Sequence, residues 1–81
     1  MPSFALNEEY LNFGLHIKKL RARYGLTPGE AGRLLGVSSR TVKNIENGII
    51  GKRTGVSVIL RAARLCGVRP SALFLPPDQS E

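Results

Sequence analysis

The run from Leu26 to Gly48, LTPGEAGRLLGVSSRTVKNIENG, constrains this chain most. It reads as two short helices joined by a tight turn at Gly36. Thr27 is a suitable N-cap, and Pro28 fits the first helical position, where its missing N–H costs nothing. Glu30, three residues after the cap, completes a capping box. The spacing predicts a helix from about Pro28 to Leu35, with Ala31, Leu34 and Leu35 facing inward. Gly32 inside it lowers helix propensity by ~1 kcal/mol against alanine, so a close approach of another segment is expected there. Gly36 suits a left-handed reversal, and Val37 is the apolar plug of the turn. Ser38 caps the next helix, about Ser39 to Asn47, with Val42 and Ile45 inward. Ser39, Arg40, Lys43, Asn44 and Asn47 share the opposite side at three- and four-residue spacings. Gly48 closes it.

The flanking segments read as further helices. Residues 1–6 form a short arm containing Phe4 and Leu6. Asn7 is a good N-cap, followed by Glu8 and Glu9 at the positive end of the dipole. The helix it opens runs to about Arg23, with Phe13, Ile17, Leu20 and Tyr24 as its buried stripe and Gly25 as its C-cap. Residues 48–56 form a glycine-rich loop. Ser57 caps a fourth helix, about Val58 to Cys66, whose apolar side is Ile59, Leu60, Ala62, Ala63 and Cys66, with Arg61 and Arg64 outside. A brief fifth helix lies near Pro70 to Phe74, stopped by Pro76 and Pro77. The expectation is an all-α domain over residues 7–75, with an arm at 1–6 and a frayed polar tail at 76–81.

Composition narrows the function classes. Eighty-one residues make one domain. No apolar run approaches the ~20 residues that span a bilayer, and the N-terminus lacks the order of a signal peptide. The expectation is a soluble cytoplasmic protein without a membrane partner. The net charge is +6, and all twelve Lys and Arg lie between Lys18 and Arg69, where only Glu30 and Glu46 are acidic. A basic body of this kind suits a polyanion, since each neutralised phosphate releases a counterion. It equally suits a merely basic surface, and charge alone does not separate the two. The single cysteine, Cys66, excludes an internal disulfide or a multi-cysteine zinc site, and reads as a small buried thiol. The single histidine, His16, is expected to face solvent. No nucleophile–base pair, paired carboxylates, metal cluster or phosphate loop is present, so no enzyme, metal or cofactor is expected.

"GLT" at Gly25 to Thr27, "LLGVS" at Leu34 to Ser38, "IENG" at Ile45 to Gly48 and "GV" at Gly67-Val68 stand together in one order and spacing. In that combination the chain resembles the lambda-repressor-like (Cro/XRE-type) helix-turn-helix family, from about Phe13 to Phe74. The resemblance implies a compact five-helix domain with the helix-turn-helix at the second and third helices. It also implies double-stranded DNA as partner, a homodimer on an inverted-repeat operator and a repressor's role. The setting would be prokaryotic or phage, at the nucleoid when DNA-bound.

By that similarity, Ser39, Arg40 and Asn44 are the main base-reading positions, with Ser38, Thr41 and Lys43 beside them. Arg40 can grip guanine in bidentate fashion and Asn44 can pair with adenine. Arg21 matches a family arginine that pairs with the glutamate at the end of the third helix, here Glu46, as a structural ion pair. The family's phosphate-clamping glutamine is replaced by Pro28, so Thr27 and the free N–H groups of Gly29 and Glu30 are expected to take the phosphate. The loop after Gly48 is longer than common. Its Lys52 and Arg53 are either backbone or minor-groove contacts or solvated charges. Ile49 and Ile50 either fold onto the core or meet a partner, and Phe74 and Leu75 are further dimer or partner contacts. The alternative function is an antitoxin-type regulator that neutralises a toxin and autoregulates its operon.

Overall fold

The computed structural model describes residues 3–51 and 54–79, with side chains from Glu8 to Asp78. Four α-helices follow in order: α1 (Ser3–Tyr24), α2 (Pro28–Leu35), α3 (Ser39–Glu46) and α4 (Val56–Cys66). Two short 3₁₀ turns, Pro70–Phe74 and Pro77–Gln79, follow among the described residues. No strand occurs among the described residues. The brief fifth helix expected near Pro70 to Phe74 is a 3₁₀ turn, because Pro70 opens a five-residue segment that Pro76 and Pro77 leave no room to extend.

The core is built from one stripe of each helix. Phe13, Ile17 and Leu20 of α1 meet Ala31 and Leu35 of α2, Val42 and Ile45 of α3, and Val58, Ala62 and Ala63 of α4. Leu73 of the first 3₁₀ turn is fully buried among them, and Phe74 packs its ring on Phe13 with centroids 5.7 Å apart at 52°. Such a tilted aromatic pair adds roughly 0.5–1.5 kcal/mol beyond its buried area, and it fastens the C-terminal segment to α1.

Several expectations are corrected. The first helix begins at Ser3, so residues 3–6 are helical and Asn7 lies inside α1. No breaker stands between Ser3 and Asn7, and Ala5 and Leu6 propagate a helix well. The side chains of Phe4 and Leu6 lie outside the described residues. Tyr24 is 62% exposed, because it is the last residue of α1, where the chain turns away through Gly25. Leu34 and Leu60 are also half-exposed. In each helix the inward row is the i, i+4 pair beside them, Ala31 with Leu35 and Val58 with Ala62. The fourth helix starts at Val56 with Gly55 as N-cap, so Ser57 sits within its first turn rather than capping it. Residues 77–79 of the expected frayed tail form the second 3₁₀ turn.

His16 is buried, not solvent-facing. The segment after the first 3₁₀ turn runs back over α1. There Asn12 Nδ2 donates to the Phe74 carbonyl at 3.0 Å, and His16 Nε2 lies 3.0 Å from the Leu75 carbonyl oxygen. Cys66 is half-buried on the same flank, its thiol 3.8 Å from the His16 carbonyl oxygen. Burial pushes that thiol's pKa up, against the smaller opposing pull of the Arg23 charge.

Candidate nucleic-acid interface

The α2–turn–α3 unit is specified locally at each joint. Thr27 Oγ1 accepts from the Glu30 N–H at 3.1 Å, and the Glu30 carboxylate accepts from the Thr27 N–H at 2.9 Å. At the other end Gly36 adopts φ 82°, the left-handed region that favours glycine. The N–H groups of Gly36 and Val37 both donate to the Gly32 carbonyl, at 2.7 and 2.8 Å. A Cβ on Gly32 would overlap the Val37 carbonyl oxygen, so the close approach expected at Gly32 is made by the turn itself. Ser38 then caps α3, its Oγ accepting from the Thr41 N–H at 3.2 Å.

The outer face of α3 is open. Ser39, Arg40, Lys43 and Asn47 are exposed and Asn44 is half-buried, while Val42 and Ile45 on the other side are fully buried. Ser38 is exposed but its hydroxyl is engaged, in the cap and with Thr41 Oγ1 at 3.1 Å. Thr41 is half-buried and sits beside the α2–α3 groove with Gly32, Arg33, Gly36 and Ser38.

Two relationships hold α3 against α1. Arg21 forms a forked pair with Glu46: Nε donates to Oε2 at 2.6 Å and Nη2 to Oε1 at 3.0 Å. Its Nη1 donates to the Leu26 carbonyl at 3.1 Å, so one guanidinium ties α1 to the end of α3 and to the link before α2. Glu46 is 8% exposed, and its accepted hydrogen bond, more than its charge, pushes the Arg21 pKa up despite the opposing cost of burial. Gly14 supplies the second contact. A Cβ there would overlap the Ile45 carbonyl oxygen and sit 2.9 Å from the Glu46 Cα.

An α2–tight turn–α3 unit with a polar, cation-bearing second helix, braced from behind by a third, is the geometry that presents a helix to a groove. The sequence profile of the helix-turn-helix domain matches residues 12–74, more than three quarters of the chain. The chain belongs to this helix-turn-helix domain family. No curated protein and no solved structure matches it.

The N-terminus of α2 is less open than the sequence suggests. The Glu30 N–H expected to be free is committed to Thr27 Oγ1, so of the two only the Gly29 N–H has no partner among the described residues. Lys52 and Arg53 lie outside the described residues. Of the apolar candidates, Ile50 and Phe74 pack onto the core, whereas Ile49 and Leu75 are 56% and 48% exposed.

Two cations on the helix-turn-helix domain escaped sequence reasoning. Arg33 is exposed on α2 and lines the groove with Ser38 and Thr41. Arg61 of α4 places its guanidinium where a Gly36 side chain would be, beside the turn. Arg33 follows the capping box by three residues, so its side of α2 could have been read. The Arg61 contact joins residues far apart in sequence and has no local signal. Among the described residues no group of three His, Cys, Asp or Glu is placed to hold a metal, and no helix is long and apolar enough to cross a membrane.

Proposed function

We propose that this helix-turn-helix domain is a sequence-specific double-stranded-DNA-binding transcriptional regulator, a repressor acting as a homodimer on an inverted-repeat operator. The observation that carries the reading is the open face of α3, held in one pose by the Arg21–Glu46 fork. A recognition helix must enter the major groove in a defined register, and a rigid brace removes the cost of fixing that register on binding.

In this reading Arg40 and Asn44 read base edges, Ser39 reaches a base or a phosphate, and Lys43 meets backbone. Ser38 and Thr41, engaged with each other, contribute at the margin. Thr27 offers its hydroxyl proton to a phosphate at the N-terminus of α2, helped by the Gly29 N–H. The neighbouring Glu30 carboxylate weakens that anchor. Arg33 beside the α2–α3 groove, with Lys52 and Arg53 in the loop, takes up phosphate contacts that Pro28 cannot make. Of the apolar candidates, Ile49 and Leu75 stay exposed and open to a partner, whereas Ile50 and Phe74 are taken up by the core.

Selection from random duplex DNA at near-physiological salt, with this protein alone, tests the reading. The expected outcome is an enriched inverted repeat whose half-sites lie about one helical turn apart. A pool that stays random would overturn specific binding by the protein alone. It would bring forward the antitoxin-type alternative, in which a toxin partner completes the DNA-binding unit.

A further inference from the structure

We infer that the solvent-facing side of α1 is a docking surface for a second copy of this chain, packed antiparallel, helix against helix. The inference rests on the homodimer of the reading above and says which surface makes it. Helical spacing puts Glu8, Leu11, Leu15 and Lys18 on the side of α1 away from Phe13, Ile17 and Leu20. Leu11 and Leu15 are 48% and 43% exposed. Leu11 also packs against Gly48, the residue before exposed Ile49. Pro76 on the other side closes a shallow groove with the two leucines.

The order acid, Leu, Leu, base reads the same in reverse except that the charges exchange. A twofold axis across the middle of the stripe therefore brings Leu11 against Leu15 of the second copy, and Glu8 against its Lys18, twice over by symmetry. Neither Glu8 nor Lys18 has an ion-pair partner among the described residues.

Charge argues for this surface over the exposed apolar residues of α4. The chain carries +6, so two copies repel unless acid meets base at the contact. On α4, Val56 and Leu60 are exposed as well, but that helix has Arg61 and Arg64 and no acid, so its self-pairing would oppose like charges. On α1 the signs complement. The apolar stripe is small beside the roughly 1,200–2,000 Å² of a standard interface, so the free dimer is a weak one.

Sedimentation velocity over a wide protein concentration range, at low salt and without DNA, reads the interface. The natural chain is expected to dimerise reversibly. Glu8→Lys and Lys18→Glu each create two repulsive pairs and should weaken the dimer by roughly tenfold or more. The double variant should restore it, and an equimolar mixture of the two single variants should form a mixed dimer. Leu15→Glu should be monomeric with unchanged helical circular dichroism. A dimer indifferent to all of these would overturn the α1 surface and leave a homodimer built elsewhere. A chain monomeric at every concentration would overturn both, while site selection on DNA judges the DNA-binding reading separately.

Discussion

Gly14 of α1 lies against the Ile45 carbonyl of α3 with no room for a side chain between them. Two helix backbones in contact transmit position more rigidly than side chains with free torsions. This contact therefore sets how far α3 stands from the body of the domain, and the Arg21–Glu46 fork beside it sets the tilt.

Gly14→Ala is expected to destabilise the domain. The alanine would gain ~1 kcal/mol of helix propensity, but its Cβ meets backbone, which cannot rotate away. Overpacking of this kind costs about 1–3 kcal/mol, so the net effect is a lowered urea midpoint. An unchanged or raised midpoint would show that α3 can shift outward at no cost.

Arg21→Ala and Glu46→Ala should each destabilise by about 1–2 kcal/mol, Glu46 being nearly buried and Arg21 partly exposed. The double variant should lose much less than the sum, because the two act as one unit. Both single variants should also weaken DNA binding by letting α3 fray from α1. A strictly additive cycle would mean that the fork holds nothing together.

Arg40→Ala should cost ~1–3 kcal/mol on the selected site and relax the preference at one base pair. Unchanged affinity together with an unchanged preferred site would remove Arg40 from base reading.

Lys52→Ala with Arg53→Ala should weaken binding to all sequences alike and flatten the dependence of log affinity on log salt. A salt slope that does not move would mean that the loop touches no phosphate.

Cys66 makes a prediction about pH. Its pKa is raised by burial in the fold, so the folded state keeps the proton longer than the unfolded state. Its contribution to stability is full below the unfolded thiol's pKa of about 8.5. It is lost as the pH rises through the folded value. Thermal stability should therefore fall on the alkaline side of that point, and Cys66→Ala should remove this part of the fall. Alkylation near neutral pH should be slow against a free thiol; fast labelling would contradict the burial.

Much of the candidate interface was legible because its determinants are local. A capping box, a glycine at a left-handed turn and a serine cap each act within four residues, and the structure places Thr27, Glu30, Gly36 and Ser38 in those roles. The outer face of α3 follows from helical periodicity once Val42 and Ile45 are assigned inward. The Arg21–Glu46 fork joins residues 25 positions apart, and was reached only through resemblance to a family, not from spacing.

The rest depended on how elements pack. Periodicity placed Tyr24, Leu34 and Leu60 inside because it says which side of a helix is apolar, not how far along the helix a neighbour extends. His16 looked solvent-facing because nothing nearby in sequence covers it; the returning segment at Phe74 and Leu75 does. The Glu30 N–H was counted as available until the Thr27 hydroxyl was seen to claim it. By itself, then, the sequence determined the caps, the turn and the sidedness of each helix, since these are decided by short-range hydrogen bonds and backbone torsions. The tertiary structure alone decided which leucines remain in water, which glycine is pressed against a carbonyl and which cations gather at the turn. Those are questions of distance between segments that only the finished packing brings together.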